Sequence, residues 1–445
     1  MGTAAVLLVP RARSVTPIRA LAVAAAEQSL AGAGHPRTAV WAYNGTVPGP
    51  ELRFRQGDRL RIEVENRLDV ETTVHWHGIR LPNVMDGVPH LTQPPIAAKG
   101  GRFTYEFDLP DAGTFWYHPH LGSPEQVGRG LYGALIVEER APPPVDRDLV
   151  WVLSDWRLDR EANLVENFGN AMDSSHAGRI GNTVTVNGAI QDSFAVRAGE
   201  RIRLRLINAS NARIYGLSFE GHQPWLIALD GQPVSPHQFE RVLLGPGMRA
   251  DVILDCDAAP GSAHRVIDDF YRGRAYELLK LQYANAKPIR PSFAAAARLP
   301  ANPVAVPDLA KAEKQRIVFG GGMMGAMPRQ AEHRGLFWTV NGKPVPERDH
   351  HHAPLATLAR GRSYVIELVN DSSWHHPIHL HGHVFRIVSR NGNELPRPEW
   401  SDTVLLDPRS RAEIALVADN PGDWMLHCHV LEHQATGMMA VVRVA

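Results

Sequence analysis

At 445 residues the chain is too long for one ordinary hydrophobic core, and its length alone suggests roughly two to four domains. Basic and acidic residues balance at 47 each, so no net field calls for nucleic acid or a membrane surface. No apolar run reaches the ~18 residues that a membrane helix needs, and two cysteines, Cys256 and Cys428, exclude a disulfide framework.

The unusual count is 22 histidines, roughly double an average share. The first residues, MGTAAVLLVPRAR, hold an apolar patch with no basic stretch before it and make a poor secretory signal. Either the protein is cytosolic or a leader has been removed; the expectation taken is the periplasm or the cell exterior, with the leader removed.

Along the chain a repeat emerges. Asn44-Gly45, Asn187-Gly188 and Asn341-Gly342 each open a segment that runs to a glycine, Gly57, Gly199 and Gly361. Nine residues after each glycine stands an asparagine: Asn66, Asn208 and Asn370. Between them lie RLRIEVEN, RIRLRLIN and SYVIELVN. In these, Leu60/Ile62/Val64, Ile202/Leu204/Leu206 and Tyr364/Ile366/Leu368 face one way and polar residues mostly the other. Period-two patterning with Asn-Gly turns predicts half-buried strands. A repeat near 150 residues fits three β-sandwiches of one type, an all-β fold.

The expected divisions are a first domain over 1–140, a second over 146–286 and a third over 315–445. ERAPPPVDRD (139–148) reads as a proline-rich junction, and 287–314 as a long linker whose alanine run could form a short helix. Neither carries ligand-type residues.

Four His-x-His pairs stand out: His75/His77, His118/His120, His379/His381 and His427/His429. In a strand, residues i and i+2 point to the same face, so each pair presents two imidazoles to one side. Two pairs lie in the first domain and two in the third. Where those domains meet, the imidazoles could hold several metal ions of a kind that imidazole suits: copper, iron, nickel or zinc.

The same alternation turns Cys428 away from His427 and His429. On the opposite face it could meet His433 and Met438, with one further histidine, for which His376 is the natural candidate. Two histidines, a thiolate and a weak methionine thioether describe a blue-copper electron-transfer site.

With HWHG, HPH, HPIHLHGH and HCHVLEHQATGM in this order, the sequence resembles the multicopper oxidase family, the laccase-like three-domain enzymes. The resemblance implies three cupredoxin-like Greek-key β-sandwich domains, the middle one free of metal. It implies four copper ions. His376, Cys428, His433 and Met438 would bind the type 1 copper, and His75 and His379 the type 2 copper. His77, His118, His120, His381, His427 and His429 would bind the type 3 pair. Dioxygen would be reduced to water with electrons taken singly from a phenol or aromatic amine.

Asp86 matches an acidic residue that the family keeps beside the cluster and is expected to relay protons; a turn aspartate before Gly87 is the plainer reading. Glu432 is a second candidate, which could instead cap a turn or pair with an arginine. Several bacterial relatives carry a carboxylate directly after the second type 1 histidine, where this chain has Gln434. Two rival functions are a metallo-oxidase acting on Cu(I) or Fe(II), and a non-enzymatic structural relative.

Other residues have plainer readings. His350, His351 and His352 read as a solvated loop, His375 as a supporting or surface residue, and His222 as structural. Cys256 reads as a small core residue. Met323, Met324 and Met327 lie in a glycine-rich loop.

Overall fold

The structure is a computed structural model and describes residues 20–323, 325, 335–347 and 353–445. Strands dominate, arranged in six sheets, two for each of three sandwiches. In the first sandwich, Thr38–Tyr43, Ala20–Gln28, Arg59–Asn66 and Gly101–Asp108 form one sheet; Gly49–Arg55, Gly133–Glu138, Gly113–His118 and His75–His77 form the other. The second sandwich has a six-stranded sheet around Arg147–Trp156, Arg201–Asn208 and Arg249–Asp255, and a five-stranded sheet around Tyr276–Tyr283. The third repeats this pattern, with Glu313–Gly321, Ser363–Asp371 and Arg411–Val417 in one sheet, and His376–Leu380 between Thr403–Leu406 and Gly422–Cys428 in the other. The all-β class expected from the sequence is the one the chain adopts.

The repeat has a physical cause. Arg59–Asn66, Arg201–Asn208 and Ser363–Asp371 each run parallel to the strand that opens their sandwich and antiparallel to a later one. At the end of each, a buried asparagine accepts a backbone N–H two residues on (Leu68, Ser210, Ser372). Its amide donates to carbonyls of the following loops. One side chain thereby satisfies the backbone groups that the strand end leaves open.

The Asn-Gly pairs are turns with positive φ at both residues: 52° and 77° at 44–45, 54° and 75° at 187–188, 49° and 74° at 341–342. That geometry belongs to tight hairpin turns and favours this dipeptide. Each first asparagine also bonds back to the neighbouring strand, at Ala22, Val152 and Val318.

Two features differ from the sequence reading. The alanine run after Phe293 forms no helix; it is irregular and mostly exposed. Farther along, Asn302 anchors the segment by bonding Ala112, Gly231 and Gln232. The second difference is the polar face of the middle repeat strand. Leu60, Ile62 and Val64 alternate with residues that reach solvent, but Arg203 and Arg205 are fully buried. Arg203 makes paired bonds to Glu139 and Asp251, and Arg205 to Asp148, Thr114 and Asp251. Packing of the middle sandwich against the first covers this face, and period two cannot reveal a neighbouring domain.

Among the described residues, no helix is long and apolar enough to cross a membrane. Because Asn208 closes a strand end in a fully buried setting, Asn208→Ala is expected to cost about 1–3 kcal/mol by stranding backbone groups, measured as a lowered urea midpoint with an unchanged m-value.

Candidate metal centre

Each His-x-His pair lies on or at the end of a strand. His75 sits opposite His118 in one antiparallel pair, and His379 opposite His427 in another. Alternation then throws each partner imidazole to the same side, with ring centroids 5.7 Å apart for His75/His77, 5.6 Å for His118/His120, 4.9 Å for His379/His381 and 5.5 Å for His427/His429. The two terminal sandwiches meet through these rings. His75 stacks on His381 at 3.9 Å and His77 on His379 at 3.8 Å. All eight are buried.

The protonated nitrogen of most rings is fixed by an acceptor. Nδ1–H of His75 donates to the Asp86 carbonyl (2.8 Å), His118 to Pro119 (3.0 Å), His379 to Asp402 (2.9 Å) and His427 to Cys428 (2.9 Å). His381 donates Nδ1–H to Asp86 Oδ2 at 2.8 Å. His77 is reversed: its Nε2 faces Asp402 Oδ1 at 3.2 Å, leaving Nδ1 inward. A fixed tautomer aims the lone pair of the other nitrogen into the cluster.

Those lone pairs have no protein partner. Nε2 of His75, His118, His120 and His379, Nδ1 of His77 and both nitrogens of His429 carry no hydrogen bond. His381 Nε2 and His427 Nε2 face each other at 3.1 Å, two lone pairs in repulsion. An unsatisfied buried polar atom costs about 1–3 kcal/mol, and six such rings would absorb a large part of the ~5–15 kcal/mol by which a domain is stable. Cations at the centre remove both problems. Residues that could share an ion there form overlapping groups: His75/His379/His381, His75/His77/His118 and His120/His381/His427. The His429 ring lies 4.9 Å from His77 and 5.2 Å from His118.

On the far side of the same strand, Cys428 Sγ lies 3.4 Å from His376 Nδ1 and 3.6 Å from His433 Nδ1, and those nitrogens are 3.1 Å apart. His376 Nε2–H donates to Ser372 Oγ (2.7 Å) and His433 Nε2–H to the His176 carbonyl (2.6 Å), so both lone pairs turn to the sulfur. Met438 is buried beside them, its carbonyl accepting from Cys428 N–H and its N–H donating to His433. Burial pushes the Cys428 thiol well above its ordinary value, so a thiolate here requires a compensating cation. An imidazole-and-thiolate donor set fits copper.

The sequence did not point to what holds His77 and His379. Asp402 is wholly buried, within 3.2 Å of the first and 3.3 Å of the second. Burial raises its pKa, but the Arg249 guanidinium and the bond from His379 outweigh this and hold the carboxyl well below the usual range. Arg249, also wholly buried, grips Asp402 through two bonds of 2.8 and 2.6 Å and donates to the Thr114 carbonyl. Asp230 accepts from Arg249 N–H and from Ser401; burial first, opposed by Arg249, pushes it up to about 6. Arg249 and Asp230 belong to the middle sandwich, so the domain expected to be free of metal supports the cluster. Gly78, the glycine of HWHG, has φ of 87°, and a Cβ there would strike Arg249 and lie 2.6 Å from Asp402 Oδ2.

Asp86 joins His381 and faces His75 with Oδ1 at 3.3 Å. Glu432 is buried too, but its oxygens accept from Arg179 N–H and the Asn211 amide rather than from a cluster histidine. The Gln434 amide lies 3.4 Å from His120 Nδ1 and 3.3 Å from the buried carboxylate of Glu347, which also takes the Ser123 hydroxyl. No local pattern marks Glu347. His375 stands 3.6 Å from Asp407, His222 bonds Tyr283 at 2.6 Å, and burial pushes the Cys256 thiol up to about 12. Met323 is half exposed; Met324, Met327 and His350 to His352 lie outside the described residues.

Strands, spacing and buried ligand sets define a three-sandwich metalloprotein with two separate metal-binding clusters. Multicopper oxidase family models match residues 24–142, 147–276 and 324–445. Multicopper oxidase MmcO of Mycobacterium tuberculosis is 30% identical, over 91% of this chain and 83% of its own. Laccase-1 of Botryotinia fuckeliana is 29% identical, over 89% and 77%. A solved multi-copper oxidase from Pseudomonas thermotolerans aligns with a TM-score of 0.86 at 39% identity, covering 97% of this chain and all of that one. The chain belongs to the multicopper oxidase family. It is thus a copper-dependent oxidoreductase with dioxygen as acceptor, built from three cupredoxin-like domains.

Two outcomes test the site. Arg249→Met leaves Asp402 and Asp230 as uncompensated buried carboxylates and is expected to destabilise the metal-free protein by about 3–5 kcal/mol, read from denaturant titration. The second concerns pH. Burial, reinforced by neighbouring imidazoles, lowers His77, His118, His120, His376, His381, His427 and His429 well below 6.5, and burial takes His433 to about 3. Unfolded histidines take up protons below about pH 6.5, whereas the folded rings stay neutral. The unfolded state therefore binds more protons in acid, and each ring costs about 1.4 kcal/mol per pH unit as pH falls below 6.5. The melting temperature of metal-free protein should drop steeply from pH 7 to pH 5; a flat profile would contradict the buried neutral rings.

Proposed function

We propose that the protein is a laccase-like oxidase, taking single electrons from phenols or aromatic amines and passing them to dioxygen, which becomes water. The observation that carries this reading is the two-sidedness of one strand. Cys428 points to His376 and His433, while its neighbours His427 and His429 point to the eight-histidine cluster. A covalent path of a few bonds therefore joins the two clusters.

In this reading His376, Cys428, His433 and Met438 hold a type 1 copper, His75 and His379 a type 2 copper, and the other six cluster histidines a type 3 pair. Copper supplies one-electron acceptance on the cysteine side and four-electron reduction of dioxygen on the histidine side. The residues do the rest. Carbonyl and carboxylate acceptors fix the tautomer of most cluster rings, and Ser372 and the His176 carbonyl orient the type 1 imidazoles. Complete burial of both clusters excludes bulk water. Asp86 Oδ1 carries no hydrogen bond, so this oxygen is free to take a proton and release it beside His75 and His381. Glu432, tied to Arg179 and Asn211, has the weaker case as a relay.

A metallo-oxidase acting on Cu(I) or Fe(II) is the second reading. It is favoured by one observation: the half-exposed Met323 bonds Ser175 through its backbone, next to the residue whose carbonyl orients His433. Steady-state assays separate the two, since turnover of Cu(I) without turnover of a dimethoxyphenol would overturn the laccase-like reading.

Copper quantitation with a visible spectrum tests the assignment. Cys428→Ser is expected to abolish the blue absorbance and lose one copper per chain, while far-ultraviolet circular dichroism stays unchanged. Blue absorbance in that variant would refute it.

A further inference from the structure

His376 and His433 are both fully buried, so an organic donor cannot touch either ring and must rest against whatever lies outside them. A cavity of about 760 Å³ in the middle sandwich is lined by Ile180, Arg213, Tyr271, Arg272, Arg274 and Tyr276. Two short segments connect it with the cysteine site. Ile180 lies two residues after Gly178, where a Cβ would meet Val430 and Glu432 beside the cysteine site; four residues before Ile180 on the same loop, the His176 carbonyl takes the His433 Nε2–H at 2.6 Å. Tyr271 follows Phe270, whose ring meets His375 edge-on at 5.3 Å, and His375 directly precedes His376.

The cavity wall carries three arginines against one carboxylate, Glu277, while Asp268 stands beside Tyr276. Glu277 on its wall pairs with Lys280 at 3.6 Å, and Arg213 pairs with Asp155 at 3.0 Å and bonds the Gly181 carbonyl. Among the described residues, no carboxylate pairs with Arg272 or Arg274. In a chain whose formal charge is zero, two unpaired guanidinium groups at one concavity are a local surplus and not part of a general field. Tyr271 supplies a fixed aromatic wall: its hydroxyl accepts Ile214 N–H at 3.2 Å, and the Arg213 guanidinium lies 5.6 Å from its ring. Guanidinium groups bind carboxylates and sulfonates through paired hydrogen bonds, and aromatic walls take planar rings.

We infer that this cavity is the donor site and that it selects aromatic donors carrying an anionic group, such as phenols with a carboxylate or sulfonate. The inference rests on the reading that donors are oxidised at the cysteine site. The ring lies between the tyrosines, the anion on Arg272 and Arg274, and the electron leaves along the His176 carbonyl to His433. Each phenol loses one electron and its hydroxyl proton, and four such losses balance the reduction of one dioxygen to two waters.

The experiment compares ferulate with methyl ferulate, which has the same phenol without the charge. In the copper-loaded enzyme, Arg272→Glu/Arg274→Glu is expected to raise KM for ferulate about tenfold and to leave KM for methyl ferulate unchanged. Added salt should weaken ferulate alone. Dimethoxycinnamate, which has no phenol to oxidise, should bind metal-free wild-type protein in a calorimetric titration and lose that affinity in the variant. Equal KM values for both donors in both proteins, or unchanged dimethoxycinnamate binding in the variant, would overturn the site. If neither ferulate nor its ester is turned over while dimethoxycinnamate binding keeps its dependence on the two arginines, the oxidase reading fails and the anion-selective cavity stands.

Discussion

The rest of the structure is arranged around a single difficulty: many neutral imidazoles must be buried together with their lone pairs converging. Solvent cannot satisfy those nitrogens, and the protein offers them no donors. It instead spends hydrogen bonds on the opposite nitrogen of most rings, to the Asp86, Pro119, Asp402 and Cys428 carbonyls and to the Asp86 and Asp402 carboxylates. The tautomer, the ring orientation and the call for cations at the centre follow from that choice. The cysteine site obeys the same rule with Ser372 and His176 as acceptors.

The three sandwiches share one plan but divide the work unequally. The first and third donate the histidines, and the second contributes Arg249, Asp230 and the His176 carbonyl, each acting on a residue of the third. Describing the middle sandwich only as free of metal leaves out what its side chains do for the third. Its buried Arg203 and Arg205 show how a repeat strand with an ordinary alternating pattern becomes a contact surface between domains.

Much of this was legible from residue order. The His-x-His pairs, with the period of two, predicted which imidazoles share a face and that Cys428 faces away from them; the asparagine repeats marked equivalent strand ends. Local patterns carried both because the causes are local: pleat geometry and turn conformation. The residues that escaped notice act across long separations. Asp402 sits at a bend between two strands, next to serine and threonine, Arg249 in an apolar strand of another domain, and Glu347 in a loop; each acquires its role only when three sandwiches close on one another. The alanine run shows the reverse error: helix propensity is a weak prior, and here the mostly exposed segment takes no regular structure.

The join between His381 and Asp86 spans 295 residues of sequence. During synthesis the first sandwich can fold long before its partner rings exist, carrying half a cage with two open pairs of imidazoles. Contacts of such long range form late. The cage closes only when the third sandwich docks on the first, and until then the early imidazoles wait without partners, so sequence distance itself serves as the timer.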